Sequence, residues 1–458
     1  MGALGFLHGV EVVEVDAGAR PIEGVSPSVI GLLGTALKGP VKTPTLITSR
    51  AAGEQQFGDG STIAAAIAAI FGQATARVVV VNALDPSADK TDVAEADFAA
   101  DGDRYDLGRK YVIASTVVVK DATGSTTYDV GDDYTVDAEA GVVTRVAGGA
   151  IGSGDALKIA YSYADAAQVT DAEVVAAAAK FVEAESVTGA KPRILIAPGW
   201  TEHVTRDAPD KPPKAAPVTS GLIATAERLR AVIVADGPNT TDAEAITYRK
   251  LLSSRRVYVV DPGLKISDGA GGVTDAPASA YVAGLIVRND RERGYWSSPS
   301  NRPLPGIAGA GRTIDFTLGD ENSSANRLNA DEVATVVRYE GFRLWGNRTC
   351  SNDPKWAFLG VVRTADVINE SLLQAHLWAV DRNLTKTYVE DVVESVNDFL
   401  RRLVAQGAIL SGRCWADPSR NTAAEREAGR VYFDFEFDPP SPAERITFRS
   451  QVVSGELA

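Results

Sequence analysis

The most regular alternation of apolar and polar positions lies near the end of the chain. In VYFDFEFDPPSPAERITFR, residues 431–449, Val431, Phe433, Phe435 and Phe437 alternate with Tyr432, Asp434, Glu436 and Asp438. A period of two puts the apolar set on one face of a strand and the mostly acidic set on the other. Pro439, Pro440 and Pro442 end the run, because proline has no N–H to give a sheet ladder. Ile446 and Phe448 then begin a second short run that reaches position 451, Gln451, beside Val452. At the opposite end GVEVVEVD, residues 9–16, alternates through Val10, Val12, Val13 and Val15. Two strands alone cannot bury the aromatic face, so they need a partner sheet. Unpaired β-segments at both termini suit strand exchange between subunits, since an open edge is a template for another chain. The same pattern is compatible with pairing inside one molecule.

Between the termini the periods change. VIGLLGTA, PVKTPTLITS (40–49) and RVVVVNAL (77–84) read as strands, and IAAAIAAIF (63–71) as a buried helix. From about residue 99 to 164 short strands follow one another (YVIASTVVVKD, TTYDV, YTVD, GVVTRV, ALKIAYSY), with DATGST and EAG as hairpin turns. This reads as an all-β insert, a protruding surface module. Helix 171–185 restores an α/β rhythm: strand RILIAPGW, helix SGLIATAERLR, strand AVIVADGP, helix TDAEAITYRKLL with Thr241 or Asp242 as cap, strand RVYVVDPG, helix AYVAGLIVRND. Such βαβ alternation predicts a mostly parallel sheet covered by helices. The irregular, Gly- and Pro-rich 295–313 stretch is long for a connection and suggests binding or assembly. Two helices close the chain, 366–380 and 386–406. In the second, Val389, Val392, Val393, Val396, Phe399, Leu400 and Leu403 form one stripe. Glu390, Asp391 and Glu394 crowd its first half, Arg401 and Arg402 its second, and Gly407 ends it.

Composition narrows the function more by exclusion. The 458 residues carry a net charge of −14, with no basic patch, which argues against direct nucleic-acid binding. The start has no positive n-region or long apolar h-region, and the apolar runs are too short to cross a bilayer. Cys350 and Cys414 offer neither a disulfide framework nor zinc spacing; they read as buried thiols, or as a bond if the particle meets an oxidising exterior. No phosphate loop, nucleophile elbow, metalloprotease helix or CxxC occurs in the sequence. No cofactor or metal is expected. Asp236 and Asp261 sit at strand ends, where α/β enzymes keep acids, although Asp before Gly or Pro also shapes turns. His203 is the one histidine placed like a triad base, without a nucleophile; His8 and His376 read as structural. DGD (101–103) and GDD (131–133) read as solvated turns, since neither has the order of a calcium loop.

GFRLWGNRTCS, WAFLGVVRTADVI, CWADPSRNT and GRVYFDFEFDPPSPAERITFR resemble the sheath proteins of contractile phage tails and related injection particles. LHGVEVVEVDAGARPIEGVSPSVIGLLGTA is similar to that family's opening segment. The resemblance covers nearly the whole chain; its C-terminal motifs are specific, its middle weaker and the β insert least diagnostic. It implies an α/β fold in an α+β multidomain chain. Residues 1–20 would be an N-terminal arm, 21–98 and 165–345 a central βαβ sheet domain, 99–164 an inserted β-sandwich, and 346–458 a C-terminal α+β domain with its own arm. The central domain would be non-catalytic. The resemblance further implies a helical homo-oligomer of stacked rings around an inner tail tube, meeting baseplate and tail terminator proteins, with no nucleic-acid contact or membrane insertion. Such a sheath would be part of the virion tail, assembled in the host cytoplasm. Contraction from a metastable extended state would drive the tube through the host envelope. The terminal arms would exchange strands through Val10, Val12, Val13, Val15, Ile446, Phe448 and position 451. The sheet of Val431, Phe433, Phe435 and Phe437 would accept them, and Glu390, Asp391 and Glu394 would face the tube. The reading from another class is an α/β hydrolase or ligand-binding protein using Asp236, Asp261 and His203; a third is a non-contractile tube.

Overall fold

The computed structural model describes residues 22–205 and 213–452. It is a mixed α/β multidomain chain with one large mixed sheet and several small antiparallel sheets. Two compact units divide the chain: Met1–Ser26 with Thr364–Ser441, and Pro27–Arg363 with Pro442–Ala458.

The larger unit is built on a nine-stranded sheet. Val29–Gly34, Arg77–Asn82, Ile194–Ile196, Val232–Asp236, Val257–Val260 and Val333–Arg338 run parallel. Phe342–Trp345, Arg302–Pro303 and Thr45–Ile47 add antiparallel edges. Alternation along each strand divides the apolar residues between two cores. Ile30, Leu32, Val78, Val80, Val232 and Val234 join helices Thr62–Gln73 and Ser279–Arg293. Val29, Leu33, Val79, Val81, Ile233 and Ala235 join helices Asp171–Ala179, Pro217–Leu229 and Asp242–Lys250. Burial on both faces explains why these strands read as unbroken apolar runs. Gly284 lets the first two helices touch, since a Cβ there would lie 2.8 Å from the Ile70 carbonyl oxygen. Thr241, of the two candidates, is the cap of Asp242–Lys250; its hydroxyl accepts the Glu244 N–H. Asp171–Ala179 opens with a capping box between Thr170 and Glu173.

Two three-stranded antiparallel sheets form the insert around Tyr105, Val119, Tyr134, Val143, Ile159 and Tyr161. The first of its strands is Lys90–Phe98, paired with Leu157–Ala164, so the insert's sheet begins before residue 99. That strand is mostly exposed and lacks apolar alternation, which hid it in the sequence. At the base of the insert the Asp165 N–H donates to the Asp89 carbonyl at 2.9 Å.

In the smaller unit the second C-terminal helix spans Lys386–Gln406, capped by Thr385 and ended by Gly407 in the left-handed region (φ 77°). Val392, Val396, Phe399, Leu400 and Leu403 of the expected stripe are buried; Val389 and Val393 are half-buried. The preceding helix is Leu359–Ala375, not 366–380, and the 377–379 end of the expected helix is a separate 3-10 turn.

Candidate assembly interface

An antiparallel ribbon of Ser411–Trp415 and Asp434–Asp438 is the focus of the smaller unit. Gly412 pairs with Phe437 and Cys414 with Phe435, so the side chains of Cys414, Phe435 and Phe437 share one face with Gly412. That face meets helix Lys386–Gln406: a Cβ on Gly412 would lie 3.3 Å from a Leu400 methyl, so glycine permits the approach. Phe435 and Phe437 stack with ring centroids 6.2 Å apart, yet both stay only half-buried. On the other face Arg413 pairs with Glu436 at 2.7 Å and lies over Trp415. Val431 and Phe433 lie just ahead of the strand, also half-buried. Each ribbon strand has one strand partner. Along the outer edge of Ser411–Trp415 the Asn397 side chain accepts the Cys414 N–H at 2.7 Å and donates to the Cys414 carbonyl at 3.0 Å, while the outer edge of Asp434–Asp438 is open to another strand. A two-stranded ribbon is marginal in water, and added strands would extend both its hydrogen bonding and the cover of its aromatic face.

The candidate donor segments differ in what can be said of them. Val10, Val12, Val13 and Val15 lie outside the described residues. The chain just after them is tied into the smaller unit: Ile22 is buried, its carbonyl accepts from Arg402 Nη2 at 2.8 Å, and the Val25 N–H donates to Ser371 Oγ at 3.1 Å. Residues 439–452 form no strand in the isolated chain, so the alternating run beginning at Ile446 stays irregular. Ile446 is 70%, Phe448 92% and Val452 97% exposed, and Gln451 is exposed as well.

Glu390, Asp391 and Glu394 of helix Lys386–Gln406 are exposed, but two of the three are partly neutralised along the helix. Glu390 pairs with Lys386 at 3.6 Å and Glu394 with Arg401 at 2.8 Å. Asp391 instead lines a cleft of about 410 Å³ with Trp378, Asp381, Arg382, Tyr388 and neighbouring residues.

The strand-end acids serve the interior of the large sheet. Asp236 accepts from Ser279 N at 2.7 Å and Ser279 Oγ at 2.5 Å. It thereby caps helix Ser279–Arg293, whose own N-cap residue Ala278 has no side-chain acceptor. Burial pushes the Asp236 carboxyl up to about 7, against the Ser279 hydrogen bonds, and Glu202 adds to the rise. Asp261 is fully buried and binds Arg312 and the Asn239 N–H; burial raises its carboxyl while Arg312 pulls it down. Arg312 also donates to Asp242 at 2.8 Å, anchoring the irregular stretch the sequence marked. His203 is exposed, and the hydrogen bonds of Asp236 and Asp261 go to these structural partners rather than to it. Cys350 and Cys414 are free and buried, which pushes their thiols up to about 12 and about 11. Sequence reasoning missed the buried pair of Arg363 and Asp290, because the two residues are far apart in the chain and flanked by ordinary helix.

The sequence profile of the phage tail sheath protein central domain matches residues 167–350, and that of the phage tail sheath C-terminal domain matches 351–453. A family of unknown function matches 75–182, across the insert. The chain is 36% identical to a protein of Pseudomonas aeruginosa (strain UCBPP-PA14) assigned as a prophage major tail sheath protein, over 98% of this chain and 97% of that one. It is 30% identical to the tail sheath protein of Escherichia phage P2, over 99% and 97%. In fold it is similar to the helical sheath of the anti-feeding prophage in its contracted state, with a TM-score of 0.60, 16% identity and coverage of 97% and 98%. It also matches a chain in that particle's baseplate structure, with a TM-score of 0.57, 15% identity and coverage of 98% and 100%.

Proposed function

Because the chain belongs to the phage tail sheath family and is a contractile tail sheath subunit, a structural protein and not an enzyme, we propose that its copies are linked by exchanged terminal strands. Sheath subunits associate with one another and with a baseplate in a phage tail or injection particle. The finer reading is a helical polymer of stacked rings around an inner tail tube, closed by a tail terminator, assembled in the host cytoplasm and carried in the virion tail. The observation that carries it is the ribbon Ser411–Trp415 and Asp434–Asp438: an open edge on Asp434–Asp438, an edge on Ser411–Trp415 held only by the Asn397 amide at Cys414, and a half-covered aromatic face. The exposed apolar side chains of Ile446, Phe448 and Val452 support a donor role for the C-terminal tail, with Gln451 between them. Val10, Val12, Val13 and Val15 would supply the second donor, and Val431, Phe433, Phe435 and Phe437 the receiving side.

The mechanism is mechanical. A head-to-tail contact that does not close makes an open helical array. Copies joined by strand hydrogen bonds can rotate and slide while the mesh holds and other contacts exchange. The free energy of contraction is then the difference between two packings of one fold. That difference drives the tube through the host envelope, with Glu390, Asp391 and Glu394 turned toward the tube.

Removing residues 1–18 tests the strand exchange. The shortened chain is expected to stay folded and monodisperse and to form no long tubes. Tubes of normal length from that chain would refute exchange through the N-terminal arm.

A further inference from the structure

The C-terminal tail is tied to the larger unit at one fork-shaped ion pair. Arg348 Nε donates to Glu444 Oε1 at 2.9 Å and Oε2 at 3.0 Å, and Arg348 Nη2 donates to Oε2 at 2.5 Å. The guanidinium also lies over the Phe358 ring, 5.1 Å from its centroid, so it is held in place from a second side. The two side chains are 37% and 33% exposed, which leaves the pair half-covered and open to exchange. One residue on, Arg445 reaches Glu321 at 3.3 Å, but both side chains are highly exposed. Beyond that point Ile446, Phe448 and Val452 face solvent.

A donor tail has an intramolecular competitor. Strand Asp434–Asp438 and the apolar run after Ile446 are joined by only a short segment. A chain of that length can close into a hairpin, and closing a short loop costs little entropy. Self-pairing of this kind would occupy the ribbon edge and remove both donor and acceptor from the assembly. Two features oppose it. Pro439, Pro440 and Pro442 restrict the connecting backbone and withhold N–H donors. The Arg348–Glu444 fork fixes the root of the tail on the larger unit.

Building on the reading that the tail is donated to another copy, we propose that Arg348 and Glu444 form a positioning clasp. It holds the root of the tail so that Ile446–Val452 is offered to a neighbouring subunit instead of its own ribbon. The bidentate geometry suits this role, because a planar fork sets direction as well as proximity.

The test uses the full chain and follows the threshold concentration for polymerisation by light scattering and electron microscopy. Half-exposed pairs shift an equilibrium by up to about fivefold. Glu444→Gln and Arg348→Gln are each expected to raise the threshold by up to about fivefold. The double variant is expected to match either single one, because residues acting as a pair are not additive. A chain ending at Arg445 is the control and should not polymerise. Wild-type thresholds in both single variants, or effects that multiply in the double, would overturn the clasp while leaving strand donation intact. Normal polymerisation of the shortened chain would overturn donation, and the clasp with it.

Discussion

Asp236→Asn should gain stability on the wild type as pH rises through neutrality, because it replaces a buried titrating carboxyl with a group that does not titrate. Asp236 is buried beneath the N-terminus of helix Ser279–Arg293, with its carboxyl pushed from 3.8 up to about 7. The folded chain therefore holds a proton that the unfolded chain has already released. A group raised in this way contributes stability that is complete below pH 3.8 and lost as pH rises through about 7. At about 1.4 kcal/mol per unit, the span amounts to about 4 kcal/mol, of which about 2 kcal/mol falls between pH 5.5 and 8. Asparagine keeps the geometry: its oxygen accepts the Ser279 N–H, its amide donates to Ser279 Oγ, and it does not titrate. Urea unfolding of both chains at several pH values across that window would give the difference in stability. The variant should gain on the wild type by about 2 kcal/mol from pH 5.5 to 8. Using the difference cancels the contribution of Asp261, which is present in both chains. Parallel curves, or a wild type that gains on the variant as pH rises, would refute the reasoning.

Three other perturbations follow from the same geometry. Asp290→Ala should destabilise the larger unit by about 3–5 kcal/mol, because Arg363 is 5% exposed and would keep only the Pro27 and Tyr295 carbonyls; a shift in urea midpoint worth under about 1 kcal/mol would contradict a structural ion pair there. Excising residues 90–164 and joining Asp89 to Asp165 through a short glycine linker should leave the melting of the large sheet and tube formation unchanged, since those ends already share a 2.9 Å hydrogen bond; an unfolded product would make the insert integral. Replacing Glu390, Asp391 and Glu394 together by Lys should leave the helix folded and weaken co-sedimentation with the inner tube; unchanged co-sedimentation would turn that face elsewhere.

The doubly buried strands were the most legible part of the sequence. Arg77–Asn82 and Val232–Asp236 are continuous apolar runs because helices cover both faces of the sheet, and βαβ alternation gave their parallel direction. The stripe on Lys386–Gln406 was equally readable, because one face packs and the other is wet. Lys90–Phe98 was not legible, since its exposed side chains carry no period and its strand character comes from pairing with Leu157–Ala164. The start of Leu359–Ala375 was missed for a related reason: its early residues are apolar and buried without a polar counter-face. At the candidate site, the alternation of Phe435 and Phe437 with Asp434, Glu436 and Asp438 gave the two faces of the ribbon correctly. It could not give the partner strand Ser411–Trp415, or Asp236 as the cap of a helix that begins 43 residues later. Those are contacts between distant segments, and local periodicity carries no record of them.

The most direct test of strand exchange is a helical reconstruction of tubes grown from the purified chain, at a resolution that traces the ribbon. Strands from neighbouring copies should lie along both edges of the ribbon, the one beside Ser411–Trp415 in place of the Asn397 amide that bonds Cys414, with Ile446 and Phe448 against the aromatic face. Tubes in which the ribbon stays two-stranded, with the tail packed on its own subunit, would contradict the account.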